Sequence, residues 1–132
     1  MTSHVVCDAS ALVALLIDSG PDGQWAAETL SSVSLLAPAL ALFESSNIIR
    51  RCEASGSISP DQAAQAHADL LDLTIEQWPY DVAAGRVWEL RRNLSSYDAS
   101  YVAVAEAAGA PLVTLDRRIS RAPQLRCRIL TP

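Results

Sequence analysis

Four acidic side chains occupy positions from which they can act on one cation. Asp8 comes directly after the apolar run 4–7, and Asp116 comes directly after the apolar run 112–115. If both runs are parallel strands, their carboxyl ends meet at one edge of a sheet, where ligands bind in α/β proteins. The other two acids belong to helical segments that should approach this edge. The sequence therefore predicts one carboxylate cluster, formed by Asp8, Glu44, Asp98 and Asp116.

A cluster of this kind needs a counter-charge. Two carboxylates about 5 Å apart repel each other by roughly 3 kcal/mol at an effective dielectric constant of ~20. Oxygen ligands without Cys or His suit Mg²⁺ or Mn²⁺ better than Zn²⁺. His4 and His67 have no zinc-ligand spacing, and we expect them to be structural or surface residues. The predicted cofactor is therefore Mg²⁺ or Mn²⁺.

Each acid also has a purely structural explanation. Asp98 can be a favourable charge at a helix N-terminus, worth about 0.3–1 kcal/mol. Asp8 and Asp116 can cap the helices that follow them. Glu44 can be a solvated helix residue, although its neighbours are largely apolar. These explanations stay open for any single acid, whereas the joint arrangement of the four favours a metal site.

Polar residues near the acids are candidates for supporting roles. Positions 44, 47 and 51 share one helical face, so Asn47 can orient Glu44 or a bound water, and Arg51 can meet a phosphate. The Ser10 hydroxyl can bond to the site or simply cap the following helix. A solvated position is the alternative for Arg51. The predicted supporting and substrate-contacting residues are Ser10, Asn47, Arg51, Thr114 and Arg117.

The charge balance limits how the chain can bind nucleic acid. Its 132 residues include 15 acidic and 10 basic side chains, which gives a formal net charge of −5. Every basic residue is Arg, and the chain has no Lys. This acidic total argues against binding through bulk positive charge. Local positive strips remain available from the clustered arginines, which are Arg50 and Arg51, Arg91 and Arg92, and Arg117, Arg118 and Arg121.

The sequence gives no indication of export or of a membrane. Cys7, Cys52 and Cys127 form no C-x-x-C pair and imply no disulfide framework. Cys7 lies in an apolar run and is expected to be a small buried thiol. No basic segment precedes the first apolar run, and the longest apolar stretch, 35–43, is far shorter than the roughly 20 residues that span a bilayer. We therefore expect a cytoplasmic protein with a single domain over residues 1–132.

Short apolar runs alternate with helical patterns along the chain. The predicted strands are 4–7, 33–37, 74–78, 112–115 and 128–130. Helices are predicted at 10–18, 25–30, 38–54, from 60 onward, at 81–92 and at 98–108. Pro38 and Pro60 suit first helical turns, and the segment 20–23 suits a turn. Because the strands are continuously apolar rather than alternating, we predict a three-layer α/β/α sandwich with a central, mainly parallel sheet of about five short strands.

The segments around the four acids resemble the motifs of PIN-domain nucleases. These segments are 5–15 around Asp8, 38–47 around Glu44, 96–105 around Asp98 and 112–118 around Asp116. They occur in the family's order and with its typical spacing, and together they cover nearly the whole chain. One such motif is weak support, whereas four together are strong. The compact length is similar to that of the VapC-type toxins of bacterial toxin–antitoxin pairs.

The resemblance implies an activity and partners. The four acids would coordinate Mg²⁺ or Mn²⁺, and the chain would cleave RNA as a homodimer that a cognate antitoxin holds inactive. The hypothesis for the reaction is hydrolysis by a metal-activated water, with the metal charge stabilising the developing oxyanions and a carboxylate accepting the proton. Some members have a further acid where this chain has Arg117 and Arg118. The choice between one metal and two therefore stays open, and this arginine pair can instead contact substrate phosphate or an antitoxin carboxylate.

Other functions fit the residues less well. Receiver domains and haloacid-dehalogenase-type phosphatases also place an Asp after the first strand, but both families typically use a Lys, and P-loop enzymes require one. A non-catalytic PIN-like RNA-binding or regulatory module is an alternative, as is an RNA-processing nuclease without an antitoxin. Five of the aromatic residues are expected to pack in the core rather than to stack on bases; they are Trp25, Trp78, Tyr80, Trp88 and Tyr101.

Overall fold

The computed structural model describes residues 3–132, so Met1 and Thr2 lie outside the described part. Its strands are β1 Ser3–Cys7, β2 Val33–Pro38, β3 Ile75–Trp78, β4 Leu112–Val113 and β5 Ile129–Leu130. Its helices are α1 Ala9–Ile17, α2 Pro21–Leu30, α3 Leu40–Ala54, α4 Pro60–Asp72, α5 Tyr80–Glu89, α6 Ser96–Ala108 and α7 Arg117–Ser120. None of the helices within residues 3–132 has both the length and the apolar character needed to cross a membrane.

The five strands form one parallel sheet in the order β3-β2-β1-β4-β5. The central strand β1 pairs with β2 on one side, where Val5 is opposite Leu35, and with β4 on the other, where Val6 is opposite Leu112. Consecutive side chains of a strand point to opposite faces of the sheet. Since the consecutive residues Val5, Val6 and Cys7 are all buried, both faces of the sheet are covered.

The helices pack in two groups that account for this coverage. Helix α1 contacts α2, α3 and α4, whereas α5 and α6 pack against each other. Helix α6 also lies against β1, β2 and β4. A second, smaller apolar cluster joins α1, α3 and α4 through Val13, Ile49, Ala63 and Ala66. The predicted three-layer α/β sandwich is therefore confirmed.

Capping residues define several helix ends, and the predicted place of Pro60 in a first helical turn is confirmed. Ser59 and Gln62 form a capping box at the start of α4, with Pro60 in the first turn. The Ser95 hydroxyl accepts a hydrogen bond from the Asp98 amide and caps α6. At the other end of α6, Gly109 has φ 65°, a left-handed conformation that glycine adopts without strain.

Two local predictions were wrong. Pro38 is the last residue of β2, opposite Trp78, and not part of a helix. The strand pairing continues past it because the Ala39 amide donates to the Trp78 carbonyl. Helix α2 begins at Pro21 rather than near Trp25, so the predicted turn at 20–23 is mostly helical. Asp116 caps the four-residue helix α7, as its capping explanation allowed, but the bounds of this helix were not predicted, because four residues are too few to show helical periodicity.

Candidate functional site

Asp8 is a buried carboxylate at the carboxyl end of the central strand. It is 5% exposed and caps α1, where its Oδ1 accepts hydrogen bonds from the Ala11 amide at 3.1 Å and from Ser10 Oγ at 2.6 Å. Its Oδ2 accepts a hydrogen bond from the Thr114 hydroxyl. The side chain is therefore fixed in one orientation by three donors from two segments of the chain.

The charge of Asp8 is only partly compensated. Burial raises the pKa of the Asp8 carboxyl, the negative charge of Asp116 raises it further, and the hydrogen bonds from Ser10, Thr114 and Ala11 act in the opposite direction. Within residues 3–132, no arginine forms an ion pair with Asp8. A buried, unpaired carboxylate is unfavourable in a folded protein, so this position favours a bound cation.

The Thr114 and Ser10 hydroxyls join the ends of β1 and β4. Thr114 Oγ1, besides bonding to Asp8, accepts a hydrogen bond from the Asp116 amide at 2.9 Å. Ser10 Oγ accepts one from the Leu115 amide at 3.0 Å. Asp8 and Asp116 therefore lie at the same edge of the sheet, as the parallel-strand argument predicted.

Asp116 caps the short helix α7 and is bound by an arginine of that helix. Arg118 Nε lies 3.0 Å from Asp116 Oδ1, and Arg118 Nη2 lies 2.7 Å from Oδ2. These hydrogen bonds lower the pKa of the Asp116 carboxyl. Asp116 is thus ionised and already paired, in contrast to Asp8.

Asp98 is the third residue of α6 and is half-buried. Burial raises the pKa of its carboxyl, and the nearby charge of Asp116 raises it further, whereas Arg118 and the hydrogen bond with Ser95 lower it. Asp98 and Asp116 therefore interact electrostatically, although they belong to different segments. The capping explanation and the cluster explanation are compatible here, since a first-turn acid of α6 also faces another carboxylate.

Glu44 lies in the first half of α3 and is held by a tyrosine from another helix. The Tyr101 hydroxyl of α6 donates a hydrogen bond to Glu44 Oε1 at 2.5 Å. Burial raises the pKa of Tyr101, and both Glu44 and Asp8 raise it further. Because one buried phenol responds to both carboxylates, Glu44 belongs to the same electrostatic neighbourhood as Asp8.

The predicted supporting residues divide into two groups. Ser10 and Thr114 bond directly to Asp8. Asn47 is exposed, and its Oδ1 accepts a hydrogen bond from Arg50 Nε at 2.9 Å. Arg51 is exposed, and Arg117 donates to the Pro132 carbonyl at 2.7 Å. The roles suggested for Asn47, Arg51 and Arg117 stay predictions.

The residues of this site fit a hard divalent cation by their chemistry. Their donor atoms are carboxylate oxygens, which Mg²⁺ and Mn²⁺ prefer. The negative charge of Asp116 raises the pKa of both Asp8 and Asp98, and a bound cation would relieve this repulsion. As the side chains are placed in residues 3–132, no three Asp, Glu, His or Cys residues are close enough to hold a metal. Arg118 donates hydrogen bonds to both carboxylate oxygens of Asp116, and the Tyr101 hydroxyl donates to one oxygen of Glu44.

Two of the five aromatic residues expected in the core are exposed, so that prediction was wrong for them. Tyr80 is 62% exposed and Trp88 is 64% exposed, and the Trp88 ring carries the Arg91 guanidinium 4.6 Å from its centroid. Tyr101 is buried, and Trp25 and Trp78 are partly buried against the core. The error arose because helical spacing does not by itself distinguish a core face from an open one.

Cys7 is buried, as predicted, and burial raises the pKa of its thiol.

The fold and the acidic edge define a PIN domain. The PIN-domain family pattern matches residues 5–125, and the chain belongs to this family. The chain is 37% identical over 125 residues to ribonuclease VapC9 of Mycobacterium tuberculosis, an alignment that covers 95% of each chain.

Solved structures agree with the fold. A protein of Pyrobaculum aerophilum, PAE2754, superposes with a TM-score of 0.66 at 26% identity, covering 97% of this chain and 83% of that one. VapBC-5 of Mycobacterium tuberculosis, a member of the VapBC family of toxin–antitoxin systems, superposes with a TM-score of 0.65 at 21% identity over 98% of this chain and 99% of that one. These similarities establish the architecture and leave the activity to be argued from the site.

Proposed function

We propose that this chain is a Mg²⁺- or Mn²⁺-dependent endoribonuclease that acts as the toxin of a toxin–antitoxin pair. The observation that carries the proposal is Asp8, a buried carboxylate without an ion-pair partner in residues 3–132, placed beside Asp116 at the carboxyl edge of a PIN-domain sheet. The similarity to ribonuclease VapC9 over 95% of the chain supports RNA as the substrate.

In this proposal, Asp8, Glu44, Asp98 and Asp116 hold the cation. When bound, it supplies positive charge that stabilises the oxyanions of an in-line phosphodiester hydrolysis and favours deprotonation of the attacking water. Ser10 and Thr114 keep Asp8 in one orientation. One of these carboxylates would accept the proton of the attacking water.

The partners in this proposal are RNA, an antitoxin protein and a second copy of the chain. The structure of VapBC-5, described as a member of a family of toxin–antitoxin systems, supports an antitoxin partner. Tyr80 and Tyr97 line one cavity and are each 62% exposed, and these exposed aromatic side chains support a homodimer. Because RNA is the proposed target, we place the activity in the cytoplasm. Sedimentation of the purified chain tests the dimer, which would be overturned by a monomer at micromolar concentration.

A cleavage assay with matched variants tests the activity. We would incubate end-labelled mixed RNA with the protein in EDTA, Mg²⁺ or Mn²⁺, and compare the wild type with Asp8→Asn, Asp98→Asn and the exposed control Asp72→Asn. The expected result is cleavage that requires metal, is abolished in the first two variants and is unchanged in the control. Loss of a group that acts in the transition state costs about a hundredfold or more in rate.

Two outcomes would overturn parts of the proposal. Cleavage in EDTA would overturn the proposed metal dependence. Cleavage retained in both Asp8→Asn and Asp98→Asn would overturn the assignment of these acids to the site. Metal binding without cleavage of any RNA would favour the alternative of a non-catalytic PIN-like RNA-binding or regulatory module. Cleavage without growth arrest when the chain is expressed alone would favour an RNA-processing nuclease without an antitoxin.

A further inference from the structure

The Tyr101 hydroxyl connects two helices that each contribute an acid to the proposed site. Tyr101 is 2% exposed and lies on α6, one helical turn after Asp98. Its hydroxyl donates to Oε1 of Glu44 on α3 at 2.5 Å. The bond therefore joins residues 57 positions apart in the sequence, next to the strand end that carries Asp8.

The bond leaves Glu44 with one oxygen held and one free. A phenol has one proton to donate, and here that proton is directed at Oε1. Within residues 3–132, Oε2 of Glu44 accepts no side-chain hydrogen bond. By contrast, both oxygens of Asp8 are engaged by protein donors. Glu44 is therefore a carboxylate that is oriented through one oxygen and can still bind a ligand through the other.

Orientation matters at this position because Glu44 is only half-buried. A long side chain with partial access to solvent samples several rotamers, and fixing one of them consumes conformational free energy. A fixed donor that selects the productive rotamer before the ligand arrives removes this loss from the binding step. Carboxylates that bind metals commonly receive such a hydrogen bond from a neighbouring residue.

We infer that Tyr101 is a positioning residue that holds Glu44 through Oε1 so that Oε2 is available to the cation. The inference rests on the proposed metal-dependent function. A purely structural role for the Tyr101 hydroxyl, as a buried polar group that needs an acceptor, would affect folding stability and would leave cation affinity unchanged.

The test measures Mn²⁺ binding separately from activity. We would determine the Mn²⁺ dissociation constant by electron paramagnetic resonance for the wild type, Tyr101→Phe, Glu44→Gln and the double variant, with unfolding in EDTA recorded for each. Tyr97→Phe is the matched control, because Tyr97 lies on the same helix and is 62% exposed. Tyr101→Phe should weaken Mn²⁺ binding about tenfold. In the Glu44→Gln background it should cause no further loss.

The outcomes separate this inference from the function on which it rests. No Mn²⁺ binding by the wild type would overturn the proposed function itself. Mn²⁺ binding by the wild type that Glu44→Gln weakens and Tyr101→Phe leaves unchanged would overturn only the role of Tyr101. An equal loss from Tyr101→Phe in the wild-type and Glu44→Gln backgrounds would also overturn it, because the effect would not pass through Glu44.

A measurement without substitution covers the case in which Tyr101→Phe fails to fold. The chain has three tyrosines, so protein labelled with ¹³C at the tyrosine Cζ gives three resonances. On titration with Mg²⁺ the Tyr101 resonance should shift, whereas those of Tyr80 and Tyr97 should stay in place. A Tyr101 resonance that does not move while Mg²⁺ binds would contradict the inference.

Discussion

Arg118 covers the carboxylate of Asp116 with two hydrogen bonds, from Nε to Oδ1 at 3.0 Å and from Nη2 to Oδ2 at 2.7 Å. The two residues are two positions apart, at the cap and in the first turn of α7. Arg118 is otherwise exposed, with 82% of its side chain open to solvent. The pair places an exposed positive charge on one proposed metal ligand, so this arginine and a cation would compete for the same oxygens.

Replacing Arg118 should therefore tighten metal binding. In Arg118→Gln, Asp116 loses its guanidinium partner, and we expect the Mn²⁺ dissociation constant to fall about threefold, since an exposed ion pair is weak. Isothermal titration at low ionic strength measures this. Arg121→Gln is the control, because Arg121 forms no ion pair within residues 3–132. Unchanged or weaker Mn²⁺ binding in Arg118→Gln would exclude the competition.

The free energy of unfolding without metal should decrease as the pH rises toward neutrality. The pKa values of Asp8 and Asp98 are raised in the folded state, by burial first and then by Asp116. The folded state therefore holds these protons more tightly than the unfolded chain, whose aspartates titrate near 3.9. Stability from this source is complete below the unfolded value and is lost as the pH rises through the raised values. Asp116, with its lowered pKa, changes stability only below the unfolded value.

Urea unfolding in EDTA at two pH values checks this dependence. The wild type should lose stability as the pH rises from about 4, the unfolded value, toward neutrality, and Asp8→Asn should lose less and be at least as stable as the wild type at neutral pH. Asp72→Asn should keep the wild-type dependence, because Asp72 is exposed. A pH dependence that is identical in the wild type and Asp8→Asn would show that the pKa of Asp8 is not raised in the folded state.

The sequence sufficed for the parts of the site that follow from strand ends. Continuous apolar runs predicted buried parallel strands, and parallel strands end at the same edge, so Asp8 and Asp116 could be placed together. The helical pattern predicted at 98–108 placed Asp98 near the first turn of α6. The metal-ligand roles of the four acids stay predictions.

Contacts between distant side chains could not be predicted from local patterns. The hydrogen bond from Tyr101 to Glu44 spans 57 residues, and no spacing rule refers to such a pair. Tyr101 was expected only to fill the core, although its spacing of three residues from Asp98 placed both on one face of a helix. The ion pair of Arg118 depends on a short helix that shows no periodicity, and the exposure of Tyr80 and Trp88 depends on which helices cover which faces.

Glu106 should contribute more to stability than its surface neighbour Glu89. Glu106 Oε1 accepts a hydrogen bond from Arg86 Nε at 2.7 Å, and its Oε2 accepts one from the Arg126 amide at 2.7 Å. Arg86 Nη2 also donates to the Gln124 carbonyl at 2.6 Å. This network joins α5 and α6 to the segment that leads into β5. Hydrogen bonds to charged groups contribute about 1.5–3 kcal/mol, so Glu106→Gln should destabilise by about 2 kcal/mol.

Glu89→Gln is the matched control for this network. Glu89 also pairs with Arg86, at 3.3 Å, but its side chain is 59% exposed compared with 11% for Glu106. Exposed pairs of this type are worth about 0.5 kcal/mol. Urea unfolding of the two variants should therefore give clearly different midpoints. Equal losses of stability would mean that the buried pair adds nothing beyond a surface pair.

Gly23 should be the least replaceable glycine of the chain's helices. It lies in α2, which packs closely on the end of α1, and a Cβ at this position would lie 1.7 Å from the Asp18 carbonyl oxygen. The obstacle is backbone, so a rotamer change cannot relieve it, and Gly23→Ala should destabilise by about 3 kcal/mol, at the upper end of typical overpacking effects.

Gly85→Ala in α5 is the control, because a Cβ there meets nothing within 4 Å. It should stabilise the chain by about 0.5–1 kcal/mol, since alanine favours helix formation more than glycine. Thermal unfolding of both variants measures the difference. If Gly23→Ala were as stable as Gly85→Ala, the two helices would not approach each other as closely as the structure places them.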